Sequence, residues 1–251
     1  MDRCYRNPFL KKAIVRIDFT SALDISGKSL SKKASDAILK SFPIPEPKEV
    51  IAKSIELSEN GAKESQTKQN HLFYYGIKRE KTLCVSPFYA FLEYSTYGTF
   101  INLKEDFLIL LNSIQSDFDF SINRFGLRYI NQIELKDRDP LDWNPYISEN
   151  LISNINFPEI RATISRCFSS IVQQFDDGMF LNFQYGIHNP DFPSRVRQSQ
   201  FILDNDAYYQ GVLDVDHAKS EIDLAHSRIE ANFEKSIKDD LRTIMGEKID
   251  E

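Results

Sequence analysis

Residues 127–135, Leu127-Arg128-Tyr129-Ile130-Asn131-Gln132-Ile133-Glu134-Leu135, repeat a pattern met earlier in Lys12-Ala13-Ile14-Val15-Arg16-Ile17-Asp18-Phe19-Thr20, with matching residues 116 positions apart. In the earlier stretch Ala13, Val15, Ile17 and Phe19 alternate with Arg16 and Asp18, the period of a strand with one face in a core. Ile14, Arg16, Ile17, Asp18 and Phe19 correspond to Ile130, Gln132, Ile133, Glu134 and Leu135. In both copies an acid sits between two apolar residues and faces away from the core.

The elements that follow each strand come in the same order. Ser31 to Ser41, with Ala34, Ala37 and Ile38 at helical spacing, ends at Phe42-Pro43, and Tyr146 to Ile155 ends at Phe157-Pro158. Proline stops a helix at or before the preceding residue, so both segments read as short helices closed alike. Pro43-Ile44-Pro45-Glu46-Pro47 reads as an extended connector. A hairpin follows, with return strands Phe73-Tyr74-Tyr75-Gly76-Ile77-Lys78 and Phe183-Gln184-Tyr185-Gly186-Ile187-His188, identical at four of six positions 110 apart. Asp176-Asp177-Gly178 is the turn of the second hairpin. Its first arm, 161–175, also fits a helical period through Ile160, Ile164, Phe168, Ile171 and Phe175. The polar stretch from Ser58 to Asn70 has no apolar pattern and reads as a loop. Last strands at 91–97 and 202–208, offset by 111, lead into helices at 103–116 and 220–245, the second stopped by Gly246.

These elements define an α+β class: two copies, 1–119 and 120–251, of a strand, helix, antiparallel sheet and helix unit, paired about a pseudo-twofold axis and sharing an interface. The element order resembles the saddle of the TATA-binding protein, without sequence similarity.

The composition is that of a soluble globular protein, 41% hydrophobic and 27% charged, with a net charge of −6. No run of about 18 apolar residues is present and Met1-Asp2-Arg3-Cys4-Tyr5-Arg6 lacks a leader's apolar core, so a cytoplasmic protein without membrane contact is expected. The charge is uneven: residues 1–120 carry 17 basic and 15 acidic side chains, leaving 14 basic and 22 acidic beyond them. A duplex binder needs clustered Lys and Arg to neutralise phosphates, and the second half offers none. Cys4, Cys84 and Cys167 show no CxxC spacing, so no disulfide framework or structural zinc is expected, and Cys84 and Cys167 read as small core hydrophobes. Nucleophile-elbow, P-loop, dinucleotide and zincin motifs are absent from the sequence.

Several motifs resemble those of a sporadically distributed, functionally uncharacterised family of bacterial proteins. They are Tyr5-x-Asn7-Pro8, Gly126-Leu127-Arg128-Tyr129-Ile130-Asn131-x-Ile133, Phe201-Ile202-Leu203-Asp204-x-Asp206, and Asp223-x-Ala225-His226-x-x-Ile229-x-x-x-Phe233-Glu234-x-x-Ile237-x-Asp239-x-Leu241-Arg242. Tyr97-Gly98-Thr99-Phe100 resembles the family's turn before its middle helix, although the family usually has Trp after the Gly. The resemblance implies no reaction.

Among candidate binding residues, Asp204 and Asp206 share a strand face, where adjacent carboxylates attract a cation. The alternative is that Asp204 meets Arg128 or Arg195 across the sheet and that Asp216 to Asp223, in an acidic run that also holds Asp214, sit around the N-terminus of the last helix. The alternative is preferred because no ligand set with a fixed metal spacing occurs. His226 lies beside an apolar helix stripe, as a proton-transfer or a packing residue. Arg128 and Asn131 either bind a ligand or form a buried pair holding the halves in register. Tyr74, Tyr75 and Tyr94 are expected as exposed strand aromatics. Together these point to a non-enzymatic, protein-binding accessory protein, with self-association open and no cofactor or metal expected. A bacterial defence or toxin–antitoxin operon would suit such a module. A nucleic-acid binder using the sheet is the alternative, and a metal-dependent enzyme at Asp204 and Asp206 a weaker one.

Overall fold

The two alternating stretches lie side by side. In the computed structural model, which describes residues 3–25, 29–58, 61–246 and 248–250, the first is β2 (Leu10–Phe19) and the second β7 (Ile122–Glu134). They pair antiparallel, Val15 opposite Leu127 and Ile17 opposite Phe125. Between them come α1 (Lys32–Leu39), β3 (Ile44–Ser58), β4 (Gly61–Tyr75), β5 (Lys81–Val85), β6 (Tyr89–Tyr94) and α2 (Phe100–Asp117). After them come α3 (Glu149–Asn156), β8 (Cys167–Gln174), β9 (Met179–Ile187), β10 (Gln200–Leu213), α4 (Val215–Ser236) and α5 (Asp239–Met245). The result is an α+β fold: one antiparallel sheet of nine strands in the order β3-β4-β5-β6-β2-β7-β10-β9-β8. A separate two-stranded sheet joins β1 (Arg3–Tyr5) to β11 (Lys248–Asp250).

Alternation decides which face the helices cover. Ala13, Val15 and Ile17 of β2, Leu83 and Val85 of β5, Leu92 of β6 and Phe125 and Leu127 of β7 are fully buried on one face, against Leu103, Phe107, Leu110 and Leu111 of α2 and Ile222 and Ala225 of α4. Burying such a side chain contributes roughly 2 kcal/mol, several times the propensity difference between residues in a helix. The apolar stripe therefore fixes where each helix lies. This cluster draws on both halves of the chain. A second cluster, built around Trp143, Phe201, Leu203, Ile152 and Leu241, lies on the same face under α3 and α5. The opposite face carries no helix among the described residues. No described helix is long and apolar enough to cross a membrane.

Several local expectations are corrected. The stretch 61–70, read as a loop, is strand: β3 and β4 stay in register from Ile44 opposite Tyr75 to Ser58 opposite Gly61, with residues 59–60 outside the description. Only Leu72 to Tyr75 of β4 pair with β5, so the far end is a two-stranded ribbon. None of the ribbon's described side chains beyond Leu72 belongs to either core cluster, and the charged pairs Lys68–Glu49 at 2.8 Å and Lys53–Glu64 at 3.3 Å join its strands. The Pro43–Pro47 connector belongs to edge strand β3 from Ile44 onward, Pro45 and Pro47 spaced by two so that one edge lacks both N–H groups. The ambiguous arm 161–175 is a short 3-10 turn, Arg161–Thr163, followed by strand β8. The expected single helix 220–245 starts at Val215 and breaks at Ile237, whose extended backbone bridges Ile147 before α5 begins.

The two Phe-Pro closures also differ, since Phe42 is buried and Phe157 is 89% exposed. The matched return strands face opposite ways. Phe183 and Tyr185 of β9 are core residues, whereas the core residue of β4 is Tyr74, between Phe73 and Tyr75. Gly186 of β9 does have a structural reason: φ is +134°, and a Cβ there would lie 2.2 Å from the Cys167 carbonyl oxygen. Because the obstacle is backbone and the conformation disfavours L residues, Gly186→Ala is expected to cost roughly 3 kcal/mol, read as a lowered urea midpoint.

Candidate functional site

The helix-free face of the sheet is built from the residues that alternate with the core. One line of paired positions crosses it from Phe73 through Cys84, Phe91, Arg16, Gly126 and Tyr208 to Phe180. Tyr89 stacks on Phe91 at 6.2 Å, Phe73 on Tyr75 at 6.2 Å, and Phe180 on Tyr208 at 5.2 Å. All six rings are only partly buried. Cations lie over them: Arg16 is 4.4 Å from the Tyr89 ring centre and Lys48 4.6 Å from that of Phe73. At Gly126 a Cβ would meet only the mobile Arg124 guanidinium, at 2.9 Å. Arg124 passes over this glycine, 4.9 Å from the Tyr208 ring and 3.0 Å from Asp206.

Arg128, Asp204 and Asp206 meet on this face. Arg128 grips Asp204 with a two-pronged fork, Nε to Oδ1 at 2.8 Å and Nη2 to Oδ2 at 2.6 Å. The hydrogen bond to Asp204 raises the Arg128 pKa. Asp206 is held by Arg124, yet burial pushes its carboxyl above the ordinary aspartate value. The cross-sheet pairing of Asp204 with Arg128, one of the two arginines considered, is thus observed. The rest of the acidic run lies elsewhere, on α4: Asp214 caps the helix by accepting from the His217 N–H at 2.7 Å, and Asp223 pairs with Lys104 at 2.7 Å. Among the described residues no group of three or more His, Cys, Asp and Glu is placed to hold a metal ion.

Arg128 and Asn131 are not a pair. Their numbers differ by three, so they point to opposite faces of β7. The exposure expected of Tyr74 and Tyr94 is overturned: they are 3% and 5% exposed. Strand parity accounts for it, since Tyr74 pairs with Leu83 and Tyr94 with Ala13, both core positions. Tyr94 donates to Asp106, a buried carboxylate of α2 that Lys81 also approaches at 2.6 Å, and Tyr75 is the half-exposed member of the group. Cys84 is packed between Phe73 and Phe91, and burial pushes its thiol up to about 12.

Asn131 and His226 come together on the helical face, beside a cavity of about 90 Å³ between β1, β7, α4 and α5. The Tyr97 and Tyr129 hydroxyls are 3.2 Å apart, Tyr129 lies 3.1 Å from His226 Nδ1, and the imidazole stacks on Phe100 at 3.8 Å. Tyr5 donates to Glu234 at 2.9 Å, and Arg242 approaches the same carboxylate at 3.2 Å. No local property of Tyr5, Tyr97, Tyr129 or Glu234 singles it out in the sequence. The signal that carried them was membership of the quoted motifs, four of which contribute to the cavity wall. Neither a scan of protein-family models nor a search of curated proteins finds a match to this chain.

The ion pairs generate two expectations. Arg128→Ala leaves a nearly buried carboxylate without its fork and should cost roughly 3 kcal/mol, whereas Asp204→Asn, leaving a half-exposed guanidinium, should cost about 1 kcal/mol; paired urea titrations check the order. For Asp206 the folded-state pKa is raised, so its favourable contribution is present below the unfolded value and lost as pH rises through the folded one. The stability of the wild-type chain relative to Asp206→Asn should therefore fall as pH rises through and above the ordinary aspartate range, in thermal unfolding of both at each pH.

Proposed function

We propose that the chain is a non-enzymatic binding protein whose helix-free sheet face receives a protein partner. The observation that carries this reading is the band of half-buried aromatic rings interleaved with cations already matched by acids of the same face. Aromatic and arginine side chains that are partly desolvated before binding are the usual anchors of protein interfaces. The local pairing favours protein over nucleic acid. Arg16 is 2.6 Å from Asp18, Lys12 2.8 Å from Glu93, Arg124 3.0 Å from Asp206 and Arg128 2.6 Å from Asp204. A phosphate backbone would have to displace these carboxylates, and the counterion release that drives nucleic-acid binding would be reduced accordingly. The same pairing weighs against a metal-dependent enzyme at Asp204 and Asp206.

An internally duplicated, saddle-like arrangement belongs to the same reading. Its best support is register. Offsets of 116 and 111 carry the Val15–Leu92 pair of β2 and β6 onto the Asn131–Leu203 pair of β7 and β10, and Ala13–Tyr94 onto Tyr129–Asn205. The β4 and β9 motifs do not obey this relation, and the first half has one strand more on its side of the β2–β7 seam. The resemblance to a sporadically distributed bacterial family further suggests an accessory role in a defence or toxin–antitoxin operon, which the neighbouring genes would test.

A photo-crosslinking residue placed at Tyr208 or Phe91 in the native host should capture one discrete protein, and the same residue at Ile244 on the helical side should not. Equal capture at all three sites would overturn the assignment. Binding of single- or double-stranded DNA that weakens steeply between 50 and 200 mM salt would instead favour the nucleic-acid reading.

A further inference from the structure

The border strand β8, Cys167-Phe168-Ser169-Ser170-Ile171-Val172-Gln173-Gln174, holds no charged residue, proline or glycine, and no described strand pairs with its outer edge. Border strands ordinarily carry charges, prolines or bulges that keep other chains away. Phe175 donates its N–H to the Met179 carbonyl at 2.9 Å, and from there β8 and β9 run in unbroken register to Cys167 opposite Ile187. In an antiparallel ladder, residues that bond one neighbour alternate with residues that turn both backbone groups the other way. Phe168, Ser170, Val172 and Gln174 therefore aim their N–H and C=O groups out of the sheet. The edge is apolar on both sides. Ile171, opposite the core residue Phe183, is 41% exposed on the helical face, and Val172 is 59% exposed on the helix-free one. Charge stands only at the two ends: Arg166 precedes the strand and Asp176 follows it. Both are exposed and neither forms an ion pair with a described residue, whereas the adjacent Asp177 is held by Arg228.

We infer that β8 is the edge through which two copies of this chain pair, antiparallel about a two-fold axis at Ile171, into one continuous sheet. Outward-facing residues must meet outward-facing residues, and a centre at Ile171 is the one that leaves none of Phe168, Ser170, Val172 and Gln174 unpaired. That register sets Ser170 opposite Val172, Phe168 opposite Gln174, and Ile171 opposite its own copy. It also brings Arg166 of each copy opposite Asp176 of the other, so the symmetry yields two opposite-charge pairs. An uncharged strand with a cation at one end and an anion at the other is complementary to its own reverse. This singles out a second copy over a strand of different sequence. The axis stands normal to the sheet, so the helices of both copies stay on one side and the two helix-free faces become continuous. The contact uses a border and not that face, so it stands or falls separately from the proposed partner interface.

Pairing over one short strand makes a small interface, so sedimentation equilibrium of the full chain is best run at about 100 μM. The mass should be twice the 29.1 kDa of one chain. Arg166→Asp and Asp176→Arg each set like charges opposite one another twice and should weaken the dimer about tenfold, and the double variant should restore it. Ile171→Cys lies at a pair without hydrogen bonds, where Cα atoms are about 4.5 Å apart, so it should cross-link under oxidised glutathione. Gln173→Cys, opposite Ser169, should not, with circular dichroism showing that each variant folds. A monomer at that concentration, a dimer indifferent to both single charge reversals, failure of the double variant to restore it, or cross-linking of Gln173→Cys as readily as of Ile171→Cys would each overturn the proposal. Capture of another protein's strand by a chain that stays monomeric would overturn it as well.

Discussion

The pairing of β2 with β7 is the constraint on which the rest depends. It joins the two ends of the sheet into one, and its alternation sends Val15, Ile17, Phe125 and Leu127 to the helices while leaving Arg16, Gly126 and Arg128 on the other side. A slip of one residue would exchange those sets, burying arginines and exposing the core. Burial of the apolar set by roughly 2 kcal/mol per side chain makes that exchange prohibitive. The register of β6 and β10, the next strands out, is then set by the same partition. Both faces of the sheet are products of it: the aromatic band uses one parity, and the cavity beside Asn131 the other.

How much of this could be read from the chain follows from how each segment meets the core. Strands with one buried face, such as β2, β7 and β10, announce themselves through alternation, and the α+β class with them. The β3–β4 ribbon did not, because its described side chains are joined by charge pairs such as Lys68–Glu49 and lie outside both core clusters. The break at Ile237 was hidden for a different reason. Its buried side chain continues the helical stripe, while its backbone departs to bridge Ile147, a partner about 90 positions away.

The candidate site divides in the same way. Asp204 facing an arginine was legible because parity and charge are both local properties. Tyr74 and Tyr94 were misplaced because an aromatic residue is at home on either face, so its type does not reveal its parity. Asn131 and His226 were picked out singly, as polar residues among apolar ones, but their meeting depends on α4 crossing β7 and β10. That crossing is a tertiary relation, and no spacing along the chain encodes it.

The two borders of the sheet are unlike. Where β3 is backed by the sheet it carries Pro45 and Pro47, and farther out it is a charged ribbon, while β8 at the other border has no proline and exposes Ile171 and Val172. Sheets grow by adding strands at a border that still has N–H groups to offer. The two borders therefore differ in what they offer another strand: β8 keeps every backbone N–H, whereas β3 lacks two of them where it is backed by the sheet.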